Sequence, residues 1–171
     1  MRTPLSGNDE LTMATKKPYQ DLDDLEKLEK QWRKLSGLHH RKEWSAVVMR
    51  AATAAEIAAN LAIRNEFEAR SKFDVEFVGS MLVWANGLQG KVSRLLKPLY
   101  KGSPKAKRLA PLVAVMERIN VKRNAVAHAG EFCNVDEADA VIADCRTFVE
   151  GLVVLYHPEF QLKEHKFELE N

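Results

Sequence analysis

The sequence predicts an all-α protein, an up-down-up-down four-helix bundle with an extra amphipathic helix before it. Apolar residues recur at three- and four-residue spacing through most of the chain, as they do on one face of a helix. Residue types that favour helix N-termini precede several of these stretches. No segment alternates apolar and polar residues long enough to predict a half-buried strand. Long helices joined by short turns pack as antiparallel neighbours, which gives the predicted bundle.

The first predicted helix covers residues 18–36 and follows a leader, residues 1–17, that has no periodicity and is expected to be disordered. Gly37 is expected to end this helix. Its narrow apolar stripe consists of Leu22, Leu25, Leu28, Trp32 and Leu35. The four bundle helices follow within residues 42–156. The first of them runs from about Lys42 to Arg70, and its many alanines allow another helix to approach closely.

The other three bundle helices are bounded by capping residues and prolines. One is expected from the N-cap Asp74 to Pro98, with Phe77, Met81 and Trp84 on its core face. The next begins at Ser103-Pro104 and ends near Gly130. The last begins at Asn134, where Glu137 completes a capping box, and ends before Pro158. The pattern does not place the charged tail, residues 157–171.

Composition points to a globular domain. At 171 residues, with 46% hydrophobic and 29% charged residues, the chain fits a single domain with a substantial core. No uninterrupted apolar run approaches the roughly 18 residues of a membrane-spanning helix, and no secretory signal is recognisable, so we expect a cytoplasmic protein. Cys133 and Cys145 match no zinc spacing, and buried free thiols are favoured over a disulfide.

The net charge of +2 hides an asymmetry along the chain. Between Lys91 and Arg123 there are ten basic residues and one acid, whereas from Glu131 onward there are ten acids and three basic residues. Such blocks indicate a polyanionic partner or the packing of unlike charges between protomers, and a solvated basic loop around Gly102 is an equal alternative.

The helix that begins at Pro104 carries the residues best suited to chemistry. At about 100° per residue, Arg123 falls on the apolar seam of this helix, where a guanidinium requires a partner, water or an anion. Asn124 and His128 lie four residues apart and therefore on one face. Arg123 and His128 are about 140° apart on an ideal helix, so they meet only through the length of the arginine or a loosened last turn. The alternative is that both cations simply offset the helix dipole.

The segment Arg123-Asn124-Ala125-Val126-Ala127-His128 resembles the Arg-Asn-x-x-x-His motif that closes the third helix of HEPN domains, and the alanine-rich residues 51–56 are similar to the corresponding first helix. The resemblance covers residues 42–156. It implies a metal-independent endoribonuclease, often a toxin or defence factor, that acts as a homodimer without a cofactor. It assigns His128 as acid/base, Arg123 as a phosphate clamp and Asn124 as support.

The resemblance extends to partners and auxiliary residues. The substrate would be RNA, and an antitoxin or regulatory protein is a further partner. Glu56 and Asn60 either reach the same cleft or form an exposed polar stripe. The basic residues expected to contact RNA are Lys105, Lys107, Arg108, Arg118 and Lys122.

Two features keep other functions open. Family members silenced by a nucleotidyltransferase antitoxin carry a Tyr two positions after the histidine, where this chain has Gly130. Some members are non-catalytic modules that bind RNA, a nucleotide or a protein, and a purely helical dimerisation protein is a third interpretation. No metal site is predicted, because neighbours such as His39 and His40 point apart on a helix.

Overall fold

The computed structural model describes residues 17–164, and within that range the regular structure is entirely helical, which confirms the all-α class. A 3₁₀ turn, Tyr19–Asp21, precedes the first helix. The α-helices are α1 (Asp24–His40), α2 (Trp44–Arg70), α3 (Val75–Trp84), α4 (Gly87–Gly90), α5 (Lys97–Tyr100), α6 (Pro104–Ala129) and α7 (Val135–Val153). A π-helical segment, Lys91–Leu96, joins α4 to α5. The predicted disordered leader lies outside the described residues, except for Lys17.

Helix α1 begins and ends later than residues 18–36. It begins after Asp23, whose carboxylate accepts the N–H of Glu26 at 2.8 Å while the Glu26 side chain accepts the N–H of Asp23 at 2.8 Å. This capping box fixes the start of the helix. The predicted end at Gly37 is wrong because Leu38, one residue further, is buried in the core and keeps the chain helical.

The single helix predicted from Asp74 to Pro98 is wrong, because the chain breaks between α3 and α4. Asp74 caps α3 as expected, but α3 ends at Trp84. The chain then turns through Ala85 and Asn86, and Gly87 adopts a positive φ of 68°. A helix cannot pass through a residue in that conformation, so residues 87–100 form a separate helix.

The continuous helical stretch over residues 87–100 contains α4, the π-helical segment and α5. In the π-helical turn the N–H of Lys97 bonds to the carbonyl of Val92, five residues back. Pro98 follows directly, and a proline ring clashes with the carbonyl four residues before it in a regular α-helix. The wider turn therefore accommodates Pro98 without ending the helix.

The bounds of α6 and α7 largely match the prediction. Gly130 ends α6 in the left-handed conformation, with φ 68°. Ser103 precedes Pro104 as predicted, but its hydroxyl bonds to the carbonyl of Tyr100 rather than capping α6. The predicted capping box of Asn134 and Glu137 is present at the start of α7.

Helix α2 lies at the centre of the core and packs against α1, α6 and α7. The hydroxyl of Ser45 near the start of α2 accepts the N–H of Cys133, just before α7, and Glu66 near its end bonds to Tyr156, just after α7. Helices α2 and α7 therefore run in the same direction. Lys105 at the start of α6 also contacts Glu66, so α6 runs in the opposite direction. In the predicted up-down-up-down bundle α2 and α7 would be antiparallel, so the structure confirms the helical class but not that order of directions.

Helix α1 is part of this core rather than an addition to it. Trp32 is buried and donates its indole N–H to the carbonyl of Lys163 at 3.0 Å. The centre of its ring lies 4.9 Å from the guanidinium carbon of Arg146 on α7. The first part of the tail, residues 157–164, therefore lies against α1 and α7, with Leu162 buried. Both cysteines are free and buried, as predicted.

By length and composition alone, one helix within residues 17–164 qualifies as a candidate membrane span, and that helix is α2. Its apolar window is 61% buried inside the structure. Burial of this kind is typical of the core helix of a water-soluble bundle, in which the apolar residues contact other helices.

Candidate functional site

The last two turns of α6 carry the predicted motif and contain no fully buried residue. Ile119 is the last fully buried residue of this helix, and beyond it Arg123 is half-buried whereas Asn124 and His128 are exposed. Val126, three residues after Arg123, still packs against the core, but the half-buried guanidinium of Arg123 does not enter it. It points instead into a cleft beside α6.

Arg123 links the other two motif residues. Its Nη1 donates to Oδ1 of Asn124 at 2.9 Å and lies 3.3 Å from Nε2 of His128. Residues 125–129 remain helical, so the length of the arginine side chain, and not a loosened turn, brings the side chains of Arg123 and His128 together. Asn124 accepts from Arg123, which means that it orients the guanidinium and not the imidazole.

The contact between Arg123 and His128 defines a tautomer. A guanidinium N–H can only donate, so Nε2 of His128 accepts, and a neutral ring that makes this contact carries its proton on Nδ1. Nε2 is therefore the basic nitrogen facing the cleft.

The cleft beside the motif has a volume of about 500 Å³ and lies between α6 and the break that separates α3 from α4. The turn supplies Asn86 and Gly87, and residues 88–94 supply part of the wall. The polar side chains that line the cleft are Asn86, Gln89, Ser93, Arg94, Asn120, Arg123, Asn124 and His128.

The charge of this cleft is positive. Two arginines and one histidine line it, and none of the described lining residues carries a carboxylate. Asn120 and Gln89 join the two walls through a side-chain hydrogen bond of 3.2 Å. Two guanidiniums among neutral amides form a surface suited to a phosphate or another anion.

The two auxiliary residues predicted on α2 lie outside the lining of this cleft. Glu56 accepts from the ammonium of Lys91 at 2.7 Å, and Lys91 is almost fully buried in the π-helical segment. A buried cation requires such a partner, so Glu56 has a structural contact. Asn60 is half-buried, and its side-chain oxygen has no hydrogen-bond partner within the described residues. Of the alternative, an exposed polar stripe, the side chain of Glu56 is 37% exposed whereas Asn60 is half-buried.

Three of the five predicted RNA-contacting residues pair with carboxylates of the same chain. Arg118 donates to Asp144 at 2.8 Å, and the ammonium of Lys122 donates to Glu137 at 2.7 Å. Hydrogen bonding to Lys122, followed by the backbone N–H of Asn134, holds the pKa of Glu137 below its ordinary value. Part of the basic block is therefore neutralised by the acidic block on α7.

Lys105 also has an internal partner. It contacts the buried carboxylate of Glu66, and its ammonium lies 4.5 Å from the ring of Tyr156. Lys107 and Arg108 are exposed, but they stand on the first turns of α6. At about 1.5 Å per residue, the distance along the helix from Arg108 to Arg123 is about 22 Å. The five residues thus do not form a continuous surface with the motif.

Sequence reasoning missed the second wall of the cleft, above all Arg94. Arg94 belongs to the basic block between Lys91 and Arg123, but a single helix from Asp74 to Pro98 does not indicate that it faces the motif on α6. The available signal was the dipeptide Asn86-Gly87, since Asn-Gly marks turns. A turn there brings residues 87–94 alongside α6.

Comparison with known proteins gives no match to a protein-family model, a curated protein or a solved structure.

Proposed function

We propose that this chain is a HEPN-type, metal-independent endoribonuclease that acts as a homodimer, with His128 as acid/base and Arg123 as the phosphate clamp. The observation that carries the proposal is the 3.3 Å approach of Arg123 Nη1 to His128 Nε2 in a cleft without a lining carboxylate. An imidazole can act as acid or base and a guanidinium can stabilise charge on the phosphoryl oxygens, so this pair suits cleavage of a phosphodiester without a metal.

The proposed reaction transfers the phosphoryl group within the RNA strand. Nε2 of His128 takes the proton of a ribose 2′-hydroxyl, and the resulting oxygen attacks the adjacent phosphorus. The bond from phosphorus to the 5′-oxygen breaks, and an acid protonates that oxygen. The products are a 2′,3′-cyclic phosphate and a 5′-hydroxyl end. Arg123 stabilises the negative charge that grows on the phosphoryl oxygens.

This reaction requires both a base and an acid, and among the described residues the cleft contains a single histidine, His128. A two-fold dimer would supply the second imidazole from the other copy. The same observation favours one alternative, a non-catalytic module that binds RNA in its cleft. A protein that remains monomeric would have the anion site without the acid.

The test is cleavage of a labelled single-stranded RNA by the purified protein in excess EDTA. The parent protein is expected to cut the RNA and leave 2′,3′-cyclic phosphate ends, and it should not cut DNA or 2′-O-methyl RNA, which lack the attacking hydroxyl. His128→Ala should abolish cleavage while leaving RNA binding intact. Arg123→Ala should weaken both.

Two control variants separate the site from general effects. His157→Ala removes a histidine four residues beyond the end of α7, and Lys34→Ala removes an exposed cation on α1, outside the lining of the cleft. Both should cut like the parent. If His128→Ala cuts as fast as the parent, the nuclease proposal is refuted. If no variant cuts but Arg123→Ala loses RNA affinity, the binding module is the better description.

A cytoplasmic location and a role as a toxin or defence factor belong to the same proposal. Expression of the parent protein in a bacterial host is expected to slow growth, and His128→Ala is expected to relieve that effect. Gly130 offers no side-chain hydroxyl at the position two residues after His128, so silencing would depend on a bound antitoxin or regulatory protein.

A further inference from the structure

We infer that Trp84 is a stacking platform for a base of the RNA, next to the phosphate that Arg123 would hold. The inference rests on the proposed function and names a residue that positions the substrate. The sequence pattern predicted Trp84 on the core face of a long helix. The structure leaves 56% of this residue exposed, whereas Trp32 is only 3% exposed.

The position of Trp84 is set by the break between α3 and α4. Trp84 is the last residue of α3, and the turn that follows supplies Asn86 and Gly87 to the lining of the cleft. The close approach of Gly90 to Ala85 brings the following helix back against this turn. Trp84 does not itself line the cleft, but it lies two residues before Asn86, which does, and it is therefore next to the cleft.

Arg94 connects Trp84 to the cleft. Its guanidinium lies 5.4 Å from the centre of the indole ring, and its Nη1 donates to the carbonyl of Trp84 at 3.3 Å. Arg94 also lines the cleft together with Arg123. One side chain thus contacts the aromatic ring and belongs to the anion site, which places an exposed ring beside the positive charge.

An exposed aromatic ring beside cations is the combination that binds single-stranded nucleic acid. Guanidiniums attract the backbone phosphates, and an aromatic face stacks on a base. Bases in a duplex already stack on one another, so such a platform favours unpaired RNA. An inorganic anion would use Arg94 and Arg123 but would gain nothing from the indole.

The experiment uses His128→Ala as the parent, so that RNA is bound without being consumed. Its affinities for a short single-stranded oligoadenylate and for inorganic polyphosphate are measured by competition against a fluorescent oligonucleotide. Adding Trp84→Ala is expected to weaken oligoadenylate binding about tenfold, the effect of losing one stacked base, and to leave polyphosphate binding unchanged. Trp84→Phe should retain most of the affinity.

The matched control is Val83→Ala, which removes a neighbouring apolar side chain that is 78% exposed and should leave both affinities unchanged. Equal losses for oligoadenylate and polyphosphate in Trp84→Ala would overturn the inference, because Trp84 would then only hold Arg94 in place. Unchanged oligoadenylate binding also overturns it. A shift in sedimentation without a change in RNA affinity would assign Trp84 to a protein interface instead.

The failure of this inference can be told apart from the failure of the proposed function. A chain with an intact His128 that cuts no RNA, while Trp84→Ala selectively loses oligoadenylate, refutes the nuclease and supports the stacking platform. If the protein with His128 intact cuts RNA equally well with and without Trp84, the nuclease is supported and the stacking platform is refuted. If the parent binds neither oligoadenylate nor polyphosphate, both are refuted.

Discussion

Gly90 packs closely against the carbonyl of Ala85, in the turn that forms one wall of the cleft. Replacing Gly90 tests whether this close contact exists. Its backbone is ordinary right-handed helix, with φ −62° and ψ −44°, so no conformational freedom is required there. Space is the constraint. A Cβ built on Gly90 would lie 2.1 Å from the carbonyl oxygen of Ala85 and 2.8 Å from its carbon, whereas ordinary contact begins at 3.4 Å.

Gly90→Ala therefore forces two backbone segments apart by roughly 1.3 Å, the difference between that 2.1 Å approach and ordinary contact. Overpacking a core typically costs about 1–3 kcal/mol, and a backbone neighbour that cannot rotate away places this site near about 3 kcal/mol. For a chain of this size, that loss corresponds to a fall in Tm of about 6–12 °C. Thermal unfolding followed by circular dichroism measures it.

Gly79→Ala is the matched control, because Gly79 lies within α3 and a Cβ there meets nothing within 4 Å. Replacing a helical glycine by alanine then stabilises by up to about 1 kcal/mol. Gly90→Ala should also weaken polyphosphate binding, since it displaces Arg94 relative to Arg123. Equal melting temperatures for the two variants would refute the close approach of Gly90 to Ala85.

Three further predictions concern stability. Asn134→Ala removes the capping box with Glu137 and should cost about 1 kcal/mol in urea unfolding, whereas Asn134→Asp should cost little. Burial raises the pKa of Glu66, but hydrogen bonds led by Lys105 outweigh burial and hold the pKa below the ordinary 4.5. The ionised carboxylate therefore stabilises the folded protein above pH 4.5, and this stabilisation is lost as the pH falls below that value. Glu66→Gln should thus be less stable than the parent at neutral pH, with the difference shrinking in acid; a difference independent of pH would contradict this. Burial raises the pKa of the Cys145 thiol to about 12, so iodoacetamide at mildly alkaline pH should label it only after unfolding, and rapid native labelling would refute its burial.

The sequence by itself determined the helical class, most helix boundaries and the motif residues. Periodicity and capping are local: the carboxylate of Asp74 and the amide of Asn134 reach N–H groups two or three residues away, and the chain alone specifies these contacts. Arg123 and His128 could be paired for the same reason, since they lie on one short stretch of helix. The start of α1 is also specified locally, by the capping box that Asp23 forms with Glu26.

Only the tertiary structure determined which residues of other elements contact each helix. The break at Asn86-Gly87 divides the helix predicted from Asp74 to Pro98 into two helices. As a result Trp84 is exposed and Arg94 lies beside Arg123 in the cleft. The carboxylate that pairs with Lys122 is 15 residues away, on α7. The spacing of residues along a helix specifies which side chains share a face, but not which charge or backbone atom that face meets. That depends on how the helices pack, and here packing decides which cations are neutralised and which remain for an anion.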